Sequence, residues 1–184
     1  GIVIQHSNIQ LHLDPGPGSL IKAGEFGVNI RANTSILVSN SNLINCNDVN
    51  CIIDAMTYSG FDKRGVLIAN KTIVEGNETQ DPYLTKDQSK NVERIIKLEK
   101  GKRIGIEDIE IIAQETINKD KNAVGFKIIT PSSIIGYTSN TRYSAVIAEQ
   151  YKDVDILILQ TETPDDEPSE QSLSKEEAIK FIEK

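Results

Sequence analysis

Residues 10–18, Gln10-Leu11-His12-Leu13-Asp14-Pro15-Gly16-Pro17-Gly18, carry the reading on which the fold turns. From Gln10 to Asp14 apolar and polar side chains alternate, the two-residue period of a strand with one buried face, so His12 is expected to share a face with Asp14. The strand then stops abruptly. Pro15 and Pro17 donate no backbone hydrogen bond, and Gly16 and Gly18 admit the positive φ of a tight turn.

Outward from this loop, short β-type runs occupy Ile2 to Ile4, Ile9 to Leu13 and Ser35 to Val38. After Val38 the polar stretch Ser39-Asn40-Ser41-Asn42 leads into Asn45-Cys46-Asn47-Asp48, which supplies N-cap residues for a helix with Val49, Ile52, Ile53 and Met56 on one face. A second strand-rich block spans Gly65 to Val74 and Arg103 to Ala113, joined by a polar, helical or irregular connection around Gln88 to Leu98. Gly125 to Thr130 and Ile134 to Tyr137 predict a hairpin through Pro131-Ser132-Ser133. A helix over Arg142 to Tyr151 and a strand over Val154 to Gln160 follow, the latter an apolar run typical of a strand covered on both faces. Thr161 to Ser172 is an acidic connection, and Ser174 with Glu177 forms a capping box for a last helix carrying Ala178, Ile179 and Ile182. Strands first, with helices interleaved, suggest two sheets or one large sheet with helices outside.

Composition narrows the chemistry. The 184 residues are read as one domain spanning 1–184. No apolar stretch approaches the ~20 residues that cross a bilayer and no signal peptide opens the chain, so the expected location is the cytoplasm and no membrane partner is expected. The matches to the glycosylation sequon at Asn33, Asn70 and Asn77 are accordingly treated as chance. Residues 161–184 hold eight acids against three bases, leaving 17 bases and 19 acids in residues 1–160. That nearly neutral body lacks the basic footprint of a nucleic-acid binder. The segment Asp165-Asp166-Glu167 with Glu170 reads as a solvated connection, with contact to a basic partner as the alternative. Histidine occurs twice, at His6 and His12, which rules out a His-rich zinc site. Cys46 and Cys51 lie five apart, on different faces of any helix, and read as buried free thiols.

Taken in order, Leu13-Asp14-Pro15-Gly16-Pro17-Gly18, an apolar strand ending at Ser39, a loop into Asn47-Asp48, Gly125-Phe126-Lys127, and Tyr137-Thr138-Ser139-Asn140-Thr141-Arg142-Tyr143 resemble the metallo-β-lactamase superfamily. The likeness is to its prokaryotic, especially archaeal, hydrolase-like members and covers nearly the whole chain. It implies an α+β fold, an αββα sandwich with two zinc ions at one edge of the sheets. It also implies a strand ahead of Ile2 and another after the final helix, neither of which is visible here.

The resemblance places the metal ligands, and the residues there differ. Where the family reads Ser-His-x-His-x-Asp-His, this chain reads Ser39-Asn40-Ser41-Asn42-Leu43-Ile44-Asn45. Asn40, Asn42 and Asn45 stand in for His, and Ile44 stands in for Asp. The next His aligns with Asn118, the metal-bridging Asp with Asn140, and the last His falls near Ser172. Amide oxygens are neutral and weakly basic, and removing two carboxylates removes the charge that compensates two dications. The expectation is therefore no metal and no cofactor, although zinc is the family's rule, and no lowered water pKa for hydrolysis. The same asparagines also read, more plainly, as a polar loop and helix cap in a chain with 14 Asn.

Three functional readings follow. The first is a non-catalytic binding or scaffold protein, a pseudoenzyme whose former pocket takes an unknown protein partner or small ligand. The second is a metal-dependent or metal-independent hydrolase of esters or phosphodiesters, with a non-standard site around Asp14 and the Asn40 to Asn45 loop. There the weak catalytic candidates are Asp14 and His12, beside Ser39, Ser41, Ser139 or Cys46 as nucleophile. Its plainer counterpart makes His12 a surface strand residue and Asp14 a turn cap. The third treats the chain as one subunit, in a homo-oligomer for instance, or as a trimmed fragment.

Overall fold

In the computed structural model, which describes residues 1–164, 169 and 171–183, the strand at 9–13 forms where its alternation places it. β1 (Ile2–His6) and β2 (Ile9–Leu13) pair antiparallel, with Ile2 opposite Leu13. All five residues of β2 are buried. The alternation thus marks a buried polar face, on which the Gln10 amide donates to Asn29 O at 2.9 Å and to Asn33 Oδ1 at 2.6 Å.

Two compact units divide the chain, Gly1–Leu98 and Glu99–Lys184. In the first, α1 (Ser19–Glu25) and a 3-10 turn at Ile30–Ala32 lead to β3 (Ser35–Val38). α2 (Leu43–Cys46) and α3 (Val49–Thr57) lead to β4 (Val66–Asn70), and α4 (Lys71–Glu75) and α5 (Gln88–Asn91) lead to β5 (Arg94–Leu98). The sheet order is β1-β2-β3-β4-β5, parallel from β2 onward. Ile52, Ile53, Met56 and Val49 of α3 pack with Ile36, Val38, Leu67 and Ala69 of the sheet into one core, as the helical spacing predicted. Two expectations are corrected. The run from Gly65 to Val74 is a strand followed by a helix, because Asn70 ends β4 and its side chain accepts from Ile73 N, capping α4. The connection expected to be helical or irregular from Gln88 to Leu98 is helical at α5 but ends in β5, an edge strand whose charged Arg94 and Lys97 suit that position. Cys46 is buried but Cys51 is exposed, so only one of the two thiols belongs to the core.

The second unit is built on β6 (Arg103–Ile106), β7 (Ile109–Glu115), β8 (Val124–Ile129) and β9 (Ile134–Tyr137), an antiparallel meander. α6 (Ala145–Glu149) follows, then β10 (Ile156–Ile158), which pairs parallel with β9 at the sheet's edge. β11 (Thr161–Thr163) and β12 (Leu173–Ser174) form a small parallel pair, and α7 (Lys175–Ile182) follows β12. The β8–β9 hairpin and the Ser174–Glu177 capping box form as expected. Two sequence expectations fail here. β10 has three residues, not a doubly covered run, and Ile156 on it is 51% exposed. α6 is shorter than Arg142 to Tyr151, since Ser144 caps it by accepting from Val146 N. On α7 the buried anchor is Phe181, packed against Tyr143 and Tyr151, while Ile179 and Ile182 are exposed. The acidic residues Asp165, Asp166, Glu167 and Glu170 lie outside the described residues. Among the described residues no helix is long and apolar enough to cross a membrane.

Candidate functional site

The Pro-Gly loop that ends β2 sets Asp14 in place. Asp14 takes a positive φ of 43°, and its N–H donates to Leu37 O at 2.8 Å, so the chain leaves β2 while still bonded to β3. Its carboxylate, 4% exposed, accepts from Ser39 N at 2.7 Å, Ser39 Oγ at 2.5 Å and Asn45 Nδ2 at 2.8 Å. Two chain segments 25 and 31 residues away are thereby tied to one carboxylate. Gly16 makes this possible: a Cβ there would lie 1.7 Å from Ile44 O, so only glycine lets the loop pass against α2. Asp48 N donates to Pro15 O at 2.8 Å, and the Asp48 carboxylate accepts from Leu20 N at 3.1 Å, fixing the far side of the same loop.

Asn40, Asn42, Ile44 and Asn45 lie together on the segment so clamped. Asn40 Oδ1 accepts from Asn42 N at 2.8 Å, and Asn40 Nδ2 donates to Ser39 Oγ at 3.2 Å. Asn42 Oδ1 accepts from Ile44 N and caps α2. Asn45 is 2% exposed and reaches Asp14, whereas Ile44 points its apolar chain outward at 54% exposure. His12 is not a surface residue: it is 2% exposed, and burial, the largest cause, holds its imidazole pKa down to about 4. The Asp14 carboxylate bonds to Ser39 and Asn45, and among the described residues the Nδ1 atom of His12 has no hydrogen-bond partner. The His12–Asp14 pair foreseen as a catalytic couple is therefore not hydrogen-bonded through that nitrogen.

In the second unit, Asn118 and Asn140 do meet. Asn118 Nδ2 donates to Asn140 O at 2.9 Å, and Asn118 Oδ1 accepts from Asp120 N at 2.9 Å. Asn140 is fully buried and follows Ser139, whose φ is 57°. Thr141 Oγ1 accepts from Ile117 N, and Arg142 N donates to Ile117 O, so the Ser139–Arg142 turn is stitched to the Ile117–Asn118 loop. Ser172 is buried at 2% exposure, just ahead of β12. The anchoring roles of Gly16, Asp48 and Thr141 were not foreseen. For Gly16 the signal was present in the Pro-Gly-Pro-Gly run, while nothing local marks Asp48 or Thr141.

The positions that the resemblance assigns to zinc ligands hold Asn40, Asn42, Ile44 and Asn45 in the first unit and Asn118, Asn140 and Ser172 in the second. Those side chains offer neutral amide oxygens, a hydroxyl and a methyl-bearing chain. The Asn40, Asn42 and Asn118 oxygens already accept from main-chain N–H groups. Such a donor set does not fit zinc, which takes imidazole, thiolate or carboxylate. Among the described residues no group of three or more His, Cys, Asp and Glu gathers as a metal site.

The chain has the metallo-β-lactamase fold. The crystal structure of the metallo-β-lactamase fold protein YhfI of Bacillus subtilis superposes with a TM-score of 0.81 at 15% identity, covering 98% of this chain and 71% of that one. Human tRNase Z, short form, gives a TM-score of 0.70 at 11% identity, covering 98% and 79%. In sequence, the chain is 27% identical over 182 residues to the uncharacterized protein MJ1374 of Methanocaldococcus jannaschii, covering 99% of this chain and 68% of that protein. No protein-family model matches the chain.

Proposed function

We propose that this chain is a non-catalytic binding or scaffold module on a metallo-β-lactamase fold, one that has given up the zinc hydrolase site. The observation that carries the reading is the use of the side chains at the ligand positions. Asp14 spends its carboxylate on Ser39 and Asn45, and Asn40 and Asn42 spend their oxygens on main-chain N–H groups. A network of this kind fills a polar site without metal, because each amide both donates and accepts and no unpaired carboxylates repel one another. Elemental analysis of the purified protein is the direct test. Zinc, iron or manganese well below one equivalent is expected; near-stoichiometric metal sinks the reading.

A second reading keeps hydrolysis of esters or phosphodiesters and draws on the 2.5 Å bond from Ser39 Oγ to Asp14 Oδ2. Against it, Ser39 is fully buried, out of reach of a substrate. It requires hydrolysis of a nitrophenyl ester or bis-nitrophenyl phosphate that survives chelator and disappears in both Ser39→Ala and Asp14→Ala. Absence of turnover in the parent protein removes it.

A further inference from the structure

Between β1, β2 and α1 the first unit holds a cavity of about 380 Å³, within the size range of small-molecule sites. Its apolar wall is Val3, Ala23, Phe26 and Val28, and its polar wall includes His12 and Ser19. These two residues, 2% and 7% exposed, each hold a buried polar atom without a hydrogen-bond partner among the described residues, Nδ1 of His12 and Oγ of Ser19. Buried polar atoms are nearly always paired, so two orphans on side chains that line one cavity call for a missing partner. Neither belongs to the Asp14 network.

We propose that this cavity binds a small neutral molecule with an apolar or aromatic body and one hydroxyl, a phenol or comparable alcohol, whose hydroxyl pairs with Ser19 and His12. A hydroxyl donates and accepts, matching a serine oxygen and a neutral imidazole, each of which can do either. The exposed ring of Phe26 supplies a face for an aromatic body. Lys22, the cationic side chain at the cavity, is already paired with Glu25 at 2.6 Å, so it is not free to neutralise an anionic ligand.

Titration of the isotope-labelled full chain by NMR tests this with para-ethylphenol, ethylbenzene and para-ethylbenzoate as probes. Saturable shifts of the Val3, Ala23 and Val28 amides are expected with para-ethylphenol. The other two probes should bind about tenfold more weakly or worse, the size of one lost hydrogen bond. Ser19→Ala should weaken para-ethylphenol by a similar factor, and Val28→Trp, which fills the cavity from its apolar side, should abolish binding while amide dispersion stays native. No saturable shift in the parent, equal binding of ethylbenzene, tighter binding of para-ethylbenzoate, or unchanged binding in both variants overturns the proposal.

Discussion

A buried carboxylate is costly unless hydrogen bonds replace its hydration, and at Asp14 three donors do so, two of them from Ser39. Asp14→Ala leaves the Ser39 N–H and the Asn45 amide without that acceptor. The expected loss is about 3 kcal/mol, read as a lower urea midpoint with an unchanged slope. A loss within error would mean that Asp14 does not hold the loop. His12 acts in the opposite sense, since burial depresses its pKa from 6.5 to about 4. Between those two values the unfolded chain binds a proton that the folded chain does not. Stability is therefore fully present above 6.5 and declines as the pH falls toward 4, by at most about 3 kcal/mol from this residue. Replacing His12 by Gln should flatten that stretch of the stability profile. An unchanged slope would assign the acid sensitivity to other groups.

Among the elements, α2 and the loop before α1 are held by main-chain geometry. Gly16→Ala would drive a Cβ to 1.7 Å from Ile44 O, a backbone atom that cannot swing aside. We expect a destabilisation of about 3 kcal/mol or failure to fold, seen in thermal unfolding, whereas Gly24→Ala on α1, where a Cβ meets nothing within 4 Å, serves as the tolerated control. Such long-range dependence explains what could be read from the sequence. The strand at 9–13, the α3 face and the β8–β9 hairpin follow from local periodicity and turn chemistry, and they formed as expected. β5 and β10 did not, because both are edge strands. Pairing on one side only tolerates the charges of Arg94 and Lys97, and β10 is limited to the three residues that pair with the four-residue β9, and neither outcome is written in the local pattern. At the candidate site the motif order placed Asn40, Asn42 and Asn45 beside the Asp14 loop. The burial of His12 could not be read, since a period of two distinguishes faces but not whether a polar face meets water or protein.

For the molecule as a whole, a fold shared with YhfI at 15% identity is compatible with a wide range of chemistries, so function rests on which side chains the fold presents. Several clamps around the 40–45 segment do not use the side chains of Asn40, Asn42 or Ile44: Asp48 N to Pro15 O and the passage of Gly16 beside Ile44 are main-chain features, and Asp14 is held through Ser39 and Asn45. Substituting Asn40, Asn42 and Ile44 should therefore change the chemistry and keep those clamps, at a cost of about 1 kcal/mol for each side-chain acceptor lost at Asn42 N and Ile44 N. The triple variant Asn40→His, Asn42→His, Ile44→Asp, with Asn45 left to hold Asp14, presents two imidazoles and a carboxylate on one loop, a set that zinc accepts. Ligand binding to the folded state raises stability by about 2.7 kcal/mol at a hundredfold excess over Kd, so the variant should show a zinc-dependent rise in Tm that chelator reverses. The parent, offering amides already committed to main-chain N–H groups, should show none. A parent Tm that rises equally with zinc would place a metal site in the native protein and overturn the non-catalytic reading. A variant that folds yet ignores zinc would show that more than side-chain identity separates this loop from a metal site.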